Sequence, residues 1–166
     1  MNKRHEFLKS MVVSSSGWRG IFGNREDSFA SEVSEEKLEI ISAAAYAIEE
    51  ILAEHSRAGA VIVAAESRST GAPLAKRVMQ LFSALGRPIR YLGVSPTPEV
   101  LAYTGAAEDV AGFVILTASH NPLGHNGIKF GFSDGRVAGG EAAQRAADRF
   151  GELVLSEAAY ALVEAA

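Results

Sequence analysis

Ser119 stands where an apolar run, Gly112 to Leu116, gives way to an abrupt polar loop. His120 and Asn121 follow at once, Pro122 ends regular structure, and Lys129 returns ten positions after Ser119 on the next apolar stretch. A serine at the exit of a buried strand, with imidazole, amide and ammonium groups close by in sequence, has the parts for handling a phosphoryl group. It does not have the parts of a hydrolase elbow: the local string Thr117-Ala118-Ser119-His120-Asn121 lacks the Gly-x-Ser-x-Gly frame. Adjacent side chains also rarely face each other, so Ser119 and His120 make a poor nucleophile–base dyad. By themselves His120 reads as a loop residue bonding to backbone, Asn121 as a turn former before Pro122, and Lys129 as a surface strand lysine. Next to a phosphoserine, His120 can instead donate to phosphate oxygens or move a proton near neutral pH.

The elements that must position these groups follow from hydrophobic periodicity. Val61 to Ala65, Ile89 to Val94, Gly112 to Ala118 and Gly127 to Phe132 read as strands. Residues 35–56 have Leu38, Ile41, Ala45, Ile48 and Leu52 on one face and Ser34 as N-cap, which predicts a long amphipathic helix. Further helices are expected over 72–85, from Pro98 to about Thr104 behind Thr97 as N-cap, and over 141–163 with a break near Gly151. Met11 to Gly23 reads as a brief extended piece and a loop, and Asp134-Gly135 as a turn. Strands alternating with helices predict an α/β fold: a three-layer α/β/α sandwich on a four-stranded, mostly parallel (mixed) sheet. In such sheets ligands gather beyond the carboxyl ends of the strands, where the loops after Ala65, Val94 and Ala118 must lie.

Bulk properties narrow the classes. The 166 residues read as one domain, 48% hydrophobic and 22% charged, with a net charge of −4. That charge gives no global field for nucleic acid or an anionic membrane. The chain has no cysteine, hence no disulfide framework and no thiolate metal site. With no signal peptide or membrane span expected, the reading is a cytoplasmic protein.

Thr117-Ala118-Ser119-His120-Asn121-Pro122, followed by Asn126-Gly127-Ile128-Lys129, resembles the serine loop of the α-D-phosphohexomutases, the phosphoglucomutase/phosphomannomutase family. Ser16-Gly17-Trp18-Arg19-Gly20 resembles that family's N-terminal Thr-Ser-Gly-x-Arg-Gly loop, with Ser15 where threonine is common. Ala65-Glu66-Ser67-Arg68 stands where the family has Gly-x-Asp-x-Arg, and Gly93-Val94-Ser95-Pro96-Thr97-Pro98 matches a further loop. The four matches run in the family's order from about Ser14 to Phe132.

The resemblance implies that Ser119 carries the phosphate passed to and from a phosphorylated hexose, interconverting 1- and 6-phosphates through a bisphosphate. His120 belongs in that site, and Lys129 faces the reacting hydroxyl as general acid/base, which requires burial or neighbouring cations to loosen its hold on a proton. Arg19, with its planar fork, contacts phosphate along with Ser16 and Asn121; for Asn121, turn and function weigh equally. Glu66 and Arg68 are expected to be structural, an ion pair or loop brace. The family's Mg²⁺ is bound by the phosphoserine, here Ser119, with an Asp-Gly-Asp-x-Asp-Arg loop of a second domain. Asp27, Asp109, Asp134 and Asp148 are scattered and form no such loop, so Mg²⁺ is expected to be shared with domains outside this sequence and held weakly by it. Three readings follow: the first domain of a longer mutase, inactive alone and partnered by the remaining phosphohexomutase domains; a stand-alone binding module; or one part of a split enzyme. The choice among glucose, mannose and glucosamine phosphates is not encoded here.

Overall fold

The computed structural model describes residues 2–14, 17–55 and 58–166. In chain order the elements are α1 (Lys3–Ser10), β1 (Val12–Ser14), β2 (Gly17–Ile21), α2 (Glu35–His55), β3 (Ala60–Ala65), α3 (Gly71–Ala84), β4 (Ile89–Val94), α4 (Thr97–Ala106), β5 (Val110–Leu116), β6 (His125–Phe132), α5 (Gly140–Leu155) and α6 (Glu157–Glu164). The strands form one sheet in the order β1-β2-β6-β5-β3-β4. β3 and β5, the unbroken apolar runs, are buried along their whole length at its centre, as strands covered on both faces must be.

The sheet has six strands rather than the four expected, and only β3–β4 and β3–β5 are parallel. β5–β6, β6–β2 and β2–β1 are antiparallel, so this half of the sheet is antiparallel throughout. The additional strands come from the serine- and glycine-rich stretch before Phe22, where propensity is poor. β2 is stabilised by pairing with β6, in the register Trp18↔Ile128 and Arg19↔Gly127, and β1 pairs in turn with β2; Trp18 is fixed by stacking on Phe150 with ring centroids 4.7 Å apart.

One sheet face, with Val61, Val63, Val114, Leu116, Ile128, Phe130 and Trp18, packs on the buried sides of α2, α3, α5 and α6. The other, with Ile62, Ala64, Phe113 and Ile115, packs on α4 through Val100. This makes the three layers, the second outer layer being α4 alone in that core cluster. No helix among the described residues is long and apolar enough to cross a membrane.

Two helical details differ from expectation. α1 has no signature in the sequence, since six of its eight residues are polar; Phe7 and Leu8 pack against the core, Phe7 meeting the Phe22 ring at 5.2 Å, and its other anchor is distant in the chain. Arg4 is buried against the Tyr160 ring, 3.7 Å from the centroid, and donates to Glu157 at 2.6 Å. Helix α5 runs through Gly151 without a break and ends at Ser156, whose hydroxyl then caps α6 by accepting from Ala159 N at 3.2 Å. A Cβ on Gly151 would meet nothing within 4 Å. Gly151→Ala is therefore expected to raise unfolding free energy by about 0.5–1 kcal/mol in urea denaturation, because it removes only the conformational cost of a mid-helix glycine.

Candidate active site

The loops after β3, β4 and β5 meet at the carboxyl ends of the parallel strands, as expected. Glu66, Ser67 and Arg68, then Val94 to Pro98, and Ser119 with Leu123 line one open cleft of about 590 Å³.

Ser119 is exposed at the tip of β5 with φ of +49°, a left-handed backbone that L-residues seldom adopt. It is the second residue of a turn closed by Asn121 N donating to Ala118 O at 3.0 Å, a place where positive φ is normally given to glycine. All bonds described for Ser119 are to its backbone: its N–H donates to Thr117 Oγ1 at 3.3 Å and its carbonyl accepts from Arg68 Nη2 at 2.8 Å. The Thr117 hydroxyl in turn donates to Glu66 Oε1, and Arg68 Nε donates to Glu66 Oε2 at 3.3 Å. Glu66 and Arg68 are thus an ion pair that braces the serine loop, the role the sequence suggested.

Arg19 and Lys129 share the sheet face of Ile115. The Arg19 stem runs over Gly127 and the Lys129 stem over Gly17. A Cβ at Gly127 would stand 2.9 Å from Arg19 Cγ, and one at Gly17 2.8 Å from Lys129 Cγ. Arg19 lines a cleft of about 130 Å³ on the other side of the serine loop, together with Asn121 and His125. Lys129 is half-buried opposite Ile115 and lines a separate small hollow with Gly17 and Trp18. The structure thus brings Arg19 and Asn121 together, places Ser119 just across the loop from them, and sets Lys129 one strand inward. His120 is exposed beside Ser119. Ser16 lies outside the described residues.

Sequence reasoning missed three contributors. Thr117 is the hinge between Glu66 and the Ser119 amide; its signal is its place at the head of the serine-loop motif, closing an apolar run, and that place alone gives it no role. Asn126 is fully buried, donates from Nδ2 to Thr70 Oγ1 at 3.0 Å, and accepts from Gly127 N at 2.8 Å, so it locks β6 to the start of α3. His125 Nε2 lies 3.1 Å from Glu26 Oε1, tying the loop after β2 to the start of β6.

The family model for "Phosphoglucomutase/phosphomannomutase, alpha/beta/alpha domain I" matches residues 11–154. The chain belongs to the phosphoglucomutase/phosphomannomutase family. A phosphoglucosamine mutase of Nostoc punctiforme is 38% identical over 89 residues, which are 52% of this chain and 18% of that protein. One from Desulforudis audaxviator is 33% identical over 106 residues, 64% of this chain and 22% of the relative. Among solved structures, a putative phosphomannomutase from Thermus thermophilus superposes with a TM-score of 0.63 at 26% identity, covering 85% of this chain and 30% of the other. A phosphoglucomutase/phosphomannomutase family protein from Burkholderia thailandensis gives a TM-score of 0.62 at 23% identity over the same shares, a likeness of fold. The chain spans about a fifth of the length of these curated relatives.

Magnesium, which membership of this family raises, can be tested against the donors present. Among the described residues no three His, Cys, Asp or Glu side chains come together. The carboxylate lining the Ser119 cleft is Glu66, and both of its oxygens are engaged, by Thr117 and by Arg68. An octahedral Mg²⁺ needs free oxygen ligands, so the residues of this chain do not make its site by themselves.

Proposed function

We propose that this chain is the phosphoryl-carrying domain of a phosphohexomutase, with Ser119 as the carrier. The observation that supports it most is the presentation of Ser119: an exposed hydroxyl on a left-handed turn at the carboxyl end of the sheet, its own N–H and C=O both tied down. Strain of that kind, held in place by surrounding bonds, gathers at reacting groups.

In the proposed cycle a phosphoryl group on Ser119 Oγ passes to a hydroxyl of a hexose monophosphate. The Oγ–P bond breaks as the sugar O–P bond forms, and Lys129 takes the hydroxyl proton. The bisphosphate turns over, and its other phosphoryl group returns to Ser119, so that a 1-phosphate has become a 6-phosphate or the reverse. Arg19 and Asn121, with Ser16, hold phosphate oxygens, and His120 donates to the phosphoserine. The sugar-recognising elements and the acidic metal loop belong to remaining phosphohexomutase domains outside this chain, which alone does not complete the cycle. The names of the curated relatives make glucosamine phosphate the first substrate to test.

The test is intact-mass measurement after incubation with a hexose 1,6-bisphosphate, with the modified peptide sequenced. One phosphoryl group on the peptide holding Ser119 is expected, and none, or one elsewhere, sinks the reading. Lys129→Met is expected to slow transfer from phosphorylated Ser119 to a hexose monophosphate by about 10²-fold or more without lowering the melting temperature. An unchanged transfer rate would remove Lys129 from the mechanism.

A further inference from the structure

We propose that Arg68, held by Glu66, is the positioning residue for the Ser119 nucleophile and takes no part in binding substrate; this rests on the reading of Ser119 as phosphoryl carrier. An arginine lining the cleft of a phosphate-handling protein is ordinarily assigned to the phosphate. Here its donors are already taken. A guanidinium has five N–H groups. They go to Ser119 O and Asn121 O, both at 2.8 Å, to Pro122 O at 2.6 Å, to His125 O at 3.1 Å and to Glu66 Oε2 at 3.3 Å. The side chain is only 9% exposed, so a phosphate could recruit it only by breaking bonds inside the protein.

Three of these acceptors are carbonyls of the serine loop and a fourth is that of His125, where β6 begins, and the first is that of Ser119 itself. The circuit closes on the amide side of the same residue: Arg68 to Glu66, Glu66 to the Thr117 hydroxyl, Thr117 Oγ1 to Ser119 N. Ser119 is gripped at both backbone groups, at its carbonyl by Arg68 and at its amide by Thr117 held on Glu66, which fixes the direction of its Cα–Cβ bond without touching the side chain. The central strands β3 and β5 are buried apart from this loop and do not depend on the clamp for their packing. Lysine cannot replace arginine here, because an ammonium has three donors and no planar fork for paired carbonyls.

The experiment follows the initial rate of phosphate uptake at Ser119 from a hexose 1,6-bisphosphate against its concentration, for the unaltered chain, Arg68→Lys and Arg68→Met. A displaced reacting group costs about 10²-fold, so both variants should lose about that much in maximal rate with an unchanged half-saturating concentration. A half-saturating concentration raised tenfold at unchanged maximal rate would make Arg68 a phosphate ligand and overturn the proposal, as would unchanged kinetics. Hydrogen exchange of the Ser119 to His125 amides gives a readout independent of turnover. Faster exchange confined to that loop is expected in both variants, and exchange equal to that of the unaltered chain would refute the clamp. If the unaltered chain takes up no phosphate, the carrier reading has failed, while the exchange data still decide whether Arg68 holds the loop. Glu66→Gln keeps an acceptor for Thr117 but loses the charge opposite Arg68. It should fall between the two extremes in both measurements and guards against a variant of Arg68 that does not fold.

Discussion

With alanine at position 119, incubation with a hexose 1,6-bisphosphate should leave the mass of the chain unchanged, against one added phosphoryl group in the parent. The loss is complete because, among the described residues, no other hydroxyl sits on a left-handed turn; Ser67 and Thr97 also line the cleft but lack that backbone. Thr117 donates its proton to Glu66 and is buried, and Ser95, the serine hydroxyl at the far side of the cleft, is also buried and donates to Leu92 O at 3.3 Å. The change should cost little stability, within about 0.5 kcal/mol, since every bond described for Ser119 is made by its backbone and survives in alanine. Ser119→Gly separates strain from chemistry. It too takes up no phosphate, yet it relieves the left-handed conformation at φ +49° and should gain about 1 kcal/mol in urea denaturation. Phosphate incorporated equally into the alanine variant would remove Ser119 from the mechanism, and a glycine variant no more stable than the parent would show that the turn is unstrained.

What could be read without coordinates was whatever a local pattern fixes. The unbroken apolar runs Val61–Ala65 and Gly112–Leu116 could only be central strands, and they delivered the loops of Glu66 and Ser119 to one edge. The turn at Asp134-Gly135 was equally local: Gly135 has φ of +76°, and the Asp134 side chain accepts from Arg136 N at 2.9 Å. What escaped was set by partners far along the chain. β2 exists because β6 offers a pairing edge more than a hundred residues later, and β1 then pairs on β2. α1 is anchored through Arg4 to Glu157 and Tyr160, 153 residues away in the case of Glu157. The same holds inside the site. That Arg68 belongs beside the serine loop could be guessed from the motif, but that its donors are all consumed by that loop, by His125 and by Glu66 could not, because carbonyl acceptors leave no trace in side-chain identity.

A large stability effect of a single methyl group is expected at Gly127, where fold and site meet. A Cβ there would lie 2.0 Å from the Trp18 carbonyl oxygen and 3.0 Å from Arg19 Cα, and both are backbone atoms of the adjacent strand that no rotamer change can move aside. Gly127→Ala must therefore displace β2 from β6. Overpacking of this kind costs about 1–3 kcal/mol, and each ladder bond lost adds about 1 kcal/mol, so a loss of about 3 kcal/mol in urea denaturation is expected. Trp18 carries the displacement further, since its ring stacks on Phe150 in the core between sheet and helices. Arg19 must move with the strand, away from the cleft it shares with Asn121 and His125, so phosphate uptake at Ser119 should fall even at temperatures where the variant stays folded. Gly151→Ala, the same chemical change where no neighbour stands within 4 Å, should shift stability in the opposite direction. If Gly127→Ala costs less than about 0.5 kcal/mol, the close approach of the two backbones is wrong, and with it the placement of Arg19 at the site.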